Sequence, residues 1–252
     1  MHPTLFSIGP FTVYSYGVMV AIGFMIATIF IYRTAPHFGF DSNRVMDISI
    51  LALVTGIAGA RALYILLNIA YYAKSPFEIL NLSKGGLVWY GGFMAASLAV
   101  FLYSRALGYA PSGLLDLMVP YVALAQAFGR IGCFLNGCCY GVEASVSCPI
   151  KVFYPGDVIP RHPTQLYSAL ALFLVFLVLK AWQYRRRFLG EIFLGYCMMY
   201  SVERFLVEFI RGDNPRLSFG LTISQEISLI IFAASSIFFI QRLLSWKKRN
   251  LI

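Results

Sequence analysis

The sequence predicts an all-α polytopic membrane protein with about seven transmembrane helices, its N-terminus outside and its C-terminus cytoplasmic. Three observations lead there. Of 252 residues, 59% are hydrophobic and only 12% are charged, whereas soluble proteins carry about a quarter charged residues. The mean hydropathy is +0.73. Apolar windows of roughly 20 residues, the length a helix needs to cross a bilayer, recur along the whole chain.

Those windows fall at 12–32, 46–68, 86–105, 113–135, 165–183, 190–210 and 221–243. Arg61, Arg130 and Arg204 interrupt the second, fourth and sixth. Gly56, Gly59 and Ala60 in the second window, with Gly91, Gly92, Ala95 and Ala96 in the third, suit close helix approach. Gly85–Gly86 and Gly91–Gly92 bracket LVWY. Glycines at that density weaken a helix start and suggest a re-entrant segment, tolerated only against protein or a wet cavity. The longest connection, 137–163, contains YPGDVIPRHP and is expected to fold over the outer face. A single transmembrane domain, 1–252, is expected. The first twenty residues lack a basic n-region and a small-residue cleavage site, so no removable signal peptide is expected.

The net charge of +9 is explained by membrane orientation rather than by nucleic acid, because the basic residues are scattered or flank apolar spans. Arg33, Arg44, Arg105, Lys180, Arg185, Arg186, Arg187, Arg242, Lys247, Lys248 and Arg249 collect on one side. Lys74, Lys84, Lys151, Arg161, Arg211 and Arg216 collect on the other. The positive-inside rule assigns the first set to the cytoplasm. Arg130, Arg204, Glu208 and the opening of the third window then share the outer leaflet.

An arginine within a span costs about 2.5–3.5 kcal/mol on insertion scales. Glu208 follows Arg204 by one helical turn and shares its face. Arg130 has no such neighbour; Asp116, the nearest acid earlier in its helix, is roughly 21 Å back at helical rise. Either a carboxylate from another helix or an external anion answers Arg130, unless it snorkels to the headgroups. Paired guanidiniums suit a lipid phosphodiester, because their fork matches phosphate oxygens.

Several stretches together resemble the prolipoprotein diacylglyceryl transferase family: YSYGVMVAIGF at 14–24, GARALY at 59–64, GGLVWYGG at 85–92, GRIGCFLNGCCYG at 129–141, HPTQLY at 162–167, ERFLVEFIR at 203–211 and LTISQ at 221–225. The resemblance implies a multi-pass enzyme of the bacterial inner membrane. It would transfer the diacylglyceryl group of phosphatidylglycerol to the lipobox cysteine thiol of a prolipoprotein signal peptide, releasing glycerol 1-phosphate. It implies no cofactor and no metal. Arg130 and Arg204 match positions the family needs, where they would stabilise charge on the departing phosphate. Glu208 would hold Arg204. Tyr16, Asn136 and Gln165 become candidate headgroup donors, and Arg61 a third cation or a structural partner. Tyr90 stands where many relatives carry histidine; a phenol with a reference pKa of ~10 is a poor resting base, so the base is unassigned. His162 is a further binding candidate, with orientation of the outer loop as its plainer role.

The chain departs from the family pattern. Many relatives have asparagine at Cys133 and glutamate at Cys138, and usually glutamate at Ser168. Polar and acidic partners beside the arginines are therefore expected to be missing. A paralogous lipid-headgroup transferase with another acceptor, or a non-catalytic lipid-binding or transport protein, stays open. Cys148 is a candidate disulfide partner for Cys138 or Cys139 on an oxidising face. No zinc site is expected, for want of a CxxC pair or a nearby histidine.

Overall fold

The first apolar window does not begin as a helix. The computed structural model describes residues 1–8, 11–73, 76–80, 86–145, 148–154, 158–212, 214–215 and 220–250. In it Thr4–Ile8 (β1) pairs antiparallel with Phe11–Tyr14 (β2). FTVY is aromatic and β-branched throughout, which favours a pleated strand. The hairpin adds a short strand pair to a mostly helical membrane chain, and the first span starts at Ser15, where Ser15 N donates to Pro3 O at 3.0 Å.

The remainder is mostly helical: α1 (Ser15–Thr34), α2 (Ser42–Leu67), α3 (Ile69–Tyr72), α4 (Trp89–Ala106), α5 (Pro111–Asn136), α6 (Thr164–Gln183), α7 (Glu191–Glu208) and α8 (Ile223–Asn250). Among the described residues five stretches are long and apolar enough to cross a membrane: α1 with its following turn to Phe38, α2, α5, α6 and α8. The chain is thus a multi-pass membrane protein. The other two long helices, α4 and α7, have 18 residues each, and α7 carries Glu191, Glu203, Arg204 and Glu208.

The chain forms two compact units, Ile31–Leu114 and Met1–Phe30 with Leu115–Ile252. In the first, α2 starts on Asp41, whose carboxylate accepts from Arg44 N at 2.9 Å and caps the helix. Small residues then bring α2 and α4 into backbone contact. A Cβ at Gly59 would meet Gly91 O at 2.6 Å, and one at Gly91 would meet Gly59 O at 2.4 Å. Gly91 and Gly92 therefore serve helix packing inside α4, not a re-entrant loop; Gly86–Val88 precede the helix, and Gly85 lies outside the described residues. Arg61 is buried. Its Nε donates to Ile79 O at 3.0 Å, Nη2 to Glu78 O at 2.7 Å and Nη1 to Gly86 O at 3.2 Å, beside the Tyr64 and Tyr72 rings. Backbone carbonyls are among its structural partners.

In the second unit, α5 carries a close approach to α1 at each of two glycines. A Cβ at Gly23 would meet Phe128 Cβ at 2.8 Å, and one at Gly132 would meet Met19 Cβ at 3.1 Å and Tyr16 Cα at 3.3 Å. Val119, Leu179 and Ile192 form a core with Trp182 and Phe193 packed against it. The start of α7 is fastened to α5 by Asp116, fully buried, which accepts from Gly190 N at 2.7 Å, Phe193 N at 2.9 Å and Ile192 N at 3.0 Å. These are orphan donors of a helix N-terminus, satisfied by a carboxylate from another helix.

Candidate functional site

The C-terminal halves of α5 and α7, the first turn of α6 and the first turn of α8 assemble the polar residues that the sequence singles out. The described part of the connection between α5 and α6 is tied to the chain after α7 and to its own return segment by backbone bonds. Val142 N donates to Ile210 O at 2.8 Å, Gly141 N to His162 O at 2.9 Å and His162 N to Val142 O at 3.1 Å. A Cβ at Gly141 would meet Ile210 O at 2.8 Å and His162 Cβ at 2.9 Å, so the crossing needs glycine there. Arg161 lies over the Tyr140 ring at 4.9 Å, and Tyr140 packs on Tyr154.

Arg204 is nearly buried. Its Nη2 donates to Ser224 Oγ at 3.0 Å and pairs with Glu208 Oε2 at 2.9 Å. Glu208 in turn accepts from Thr222 Oγ1 at 3.0 Å and from Asn214 Nδ2, with Arg211 Nε at 4.0 Å. The guanidinium is thereby fixed on one edge, while Nη1 is buried with no hydrogen-bond partner. Arg130, half-buried one helix away, makes no hydrogen bond or ion pair among the described residues. Arg204 lies within electrostatic reach of both Arg130 and Arg211.

One acid escaped the reading of the sequence. Glu203 is buried at 7% exposure, and neither carboxylate oxygen has a hydrogen-bond partner. It lies within electrostatic reach of Arg130, Arg204 and Arg211 and beside Ser168 of α6, whose hydroxyl is also buried without a partner. The acid expected to be missing at Ser168 is thus supplied from the neighbouring helix. Its only signal in the sequence was adjacency to Arg204.

The other candidates separate. Tyr16 opens α1 half-exposed, within electrostatic reach of Arg130 and of Cys133, Cys138 and Cys139. Asn136 ends α5 and is exposed. Gln165, by contrast, is buried inside protein. Its Oε1 accepts from Tyr154 OH at 2.9 Å and its Nε2 donates to Cys138 O at 2.6 Å. Burial pushes the Tyr154 phenol above its ordinary range, so it keeps the proton it donates. Gln165 is placed to hold the turn after α5. His162 Nδ1 sits 3.2 Å from Tyr167 OH within the same connection. Arg61 and Tyr90 belong to the other unit; Tyr90, in the first turn of α4, is 61% exposed. Cys148 is a free thiol on Ile150 O at 3.4 Å, and all five cysteines are unbridged, which removes the expected disulfide.

The sequence profile described as Prolipoprotein diacylglyceryl transferase matches residues 3–241. A protein of Clostridium tetani named phosphatidylglycerol--prolipoprotein diacylglyceryl transferase is 37% identical over 234 residues, covering 91% of this chain and 93% of its own. A second such transferase of Clostridium perfringens is 36% identical, covering 87% of each chain. The protein so named in Streptococcus agalactiae is 32% identical, covering 96% of each.

Proposed function

The chain belongs to the prolipoprotein diacylglyceryl transferase family, and on that premise we propose that it transfers the diacylglyceryl group of phosphatidylglycerol to the lipobox cysteine of a prolipoprotein. It does so as a single seven-span domain of the bacterial inner membrane, with α4 and α7 as the additional spans and the Arg130–Arg204 end toward the outside. The basic residues flanking the spans support that orientation.

The observation that carries the reading is a pair of guanidiniums with donors left open. Arg204 Nη1 is buried and unpartnered, and Arg130 lacks any counter-ion within bonding distance among the described residues. An unsatisfied buried charge is costly, so a bound anion is the natural complement. The headgroup phosphodiester fills that place. The acceptor sulfur attacks the glycerol carbon, the S–C bond forms, and the C–O bond breaks with its electron pair leaving on glycerol 1-phosphate. The thiol proton passes to solvent. Charge grows on the leaving phosphate during this step, and donors fixed before the reaction stabilise it without reorganisation. Glu208 fixes Arg204, while Tyr16 and Asn136 line the same end as donors to headgroup oxygens.

The test is purified protein with phosphatidylglycerol and a lipobox peptide, scored for the thioether by mass. A transferase with another acceptor, or a passive lipid binder, yields none. Arg130→Ala and Arg204→Ala each abolish product while the protein remains inserted and folded. Arg130→Lys also fails, because an ammonium cannot present two donors in one plane.

A further inference from the structure

We propose that Cys133, Cys138 and Cys139 form a binding site for one thiophilic d10 metal ion of the zinc class, held through three thiolates. The three sulfurs lie within 4.8 Å of one another, with Cys138 Sγ and Cys139 Sγ 3.8 Å apart. An ion with metal–sulfur bonds of about 2.3 Å separates its thiolates by roughly 4 Å, so the cluster contracts little on binding. A disulfide needs sulfurs about 2.05 Å apart, a far larger movement, and all three thiols are free.

The backbone is arranged for this grouping. Cys133 lies in the last turn of α5. Gly137 and Cys139 both take left-handed conformations, with φ of 75° and 64°, and turn the chain back on the helix end. For a residue with a Cβ that conformation costs about 1–2 kcal/mol, and three hydrogen bonds maintain it. Cys138 N donates to Cys133 O at 3.2 Å, while Cys138 O accepts from Gln165 Nε2 at 2.6 Å and Cys139 O from Thr164 Oγ1 at 2.8 Å. The ligand-bearing turn is therefore clamped by α6 without any ion, as supported metal sites are.

Donor chemistry defines the ligand. Among the described residues no histidine, aspartate or glutamate joins the three sulfurs, so the set selects a soft ion over magnesium or calcium. All three thiols are half-buried, which leaves a route of entry. A tetrahedral ion would complete its shell with water or an exogenous thiol. Spacing hid the site, because Cys133 reaches the adjacent pair only through the turn.

Protein purified under reducing, chelator-free conditions is dialysed against zinc alone, and bound metal is counted per chain. About one equivalent is expected, with the cobalt-substituted protein showing thiolate-to-metal absorption. Cys133→Ser, Cys138→Ser and Cys139→Ser should each weaken binding at least tenfold, while Cys148→Ser and Cys197→Ser keep it. Zinc should also raise the unfolding temperature of the wild-type protein and not that of the three variants. No metal above a Cys133/Cys138/Cys139 triple-serine background, binding indifferent to these three positions, or a disulfide found among them by mass would each overturn the site. The metal count does not depend on lipid transfer, so its outcome is separate from that of the transferase reading.

Discussion

The two ends of α7 carry the same residue types and treat them in opposite ways. At the N-terminal end every carboxylate oxygen is occupied. Asp116 takes three backbone N–H groups, and Glu191 takes Trp182 Nε1 at 3.1 Å and Arg187 Nε at 2.9 Å on one oxygen, with backbone N–H groups of Arg187 and Phe188 on the other. At the C-terminal end both Glu203 oxygens and Arg204 Nη1 are buried without a hydrogen-bond partner, and Arg130 makes no ion pair among the described residues. The carboxylates at the first end are saturated by the protein itself. Arg204 at the second end is held on one edge and left open on the other. Count and depth of charged residues do not distinguish the two; satisfaction does.

The sharpest way to break this contrast is to exchange its consequences. Arg204→Ala should lower transfer per folded molecule by a factor of at least ~100–1000, the range for loss of one preorganised transition-state donor, beyond the stability lost when the buried Glu208 gives up its ion pair. If activity survives, the open end is not a site. Asp116→Ala should do the reverse, orphaning three donors at about 1–3 kcal/mol each. Its measurement is thermal unfolding in detergent, with product per folded molecule near wild type. Glu203→Gln should leave stability near wild type, since an amide keeps the approach to the Ser168 hydroxyl, yet alter kcat/KM about tenfold, or about 1.4 kcal/mol, by removing a negative charge among three guanidiniums. Equal destabilisation by Glu203→Gln and Glu191→Gln would erase the distinction drawn between these acids. The smallest effect is expected of Gly141→Ala. Its methyl meets Ile210 O, and overpacking of this kind costs roughly 1–3 kcal/mol, read as a lower unfolding temperature with the arginine chemistry intact.

Legibility followed the same division. The seven apolar windows all contain a long helix, and their ends differ from the helices by a few residues, as at α2, which begins at Ser42 rather than 46. The hairpin at Thr4–Tyr14 was missed because a strand of aromatic and β-branched residues reads as apolar length. Arg130, Arg204 and Glu208 were found because a charge within an apolar span is conspicuous. Arg61, read as a third cation or a structural partner, and Gln165, read as a headgroup donor, both donate to backbone carbonyls, and Gln165 also accepts from a phenol. Glu203 was passed over because an acid next to an arginine suggests a local pair, whereas on a helix adjacent residues point to different faces.

What the sequence determined alone was the class of protein, the position of its helices and which charges lie inside them. Hydrophobic length and a buried guanidinium are properties of a contiguous segment. Only the tertiary structure decided which of those charges are answered and which three cysteines meet. Hydrogen-bond partners and sulfur neighbours come from helices tens of residues apart, brought together by packing that no single segment encodes.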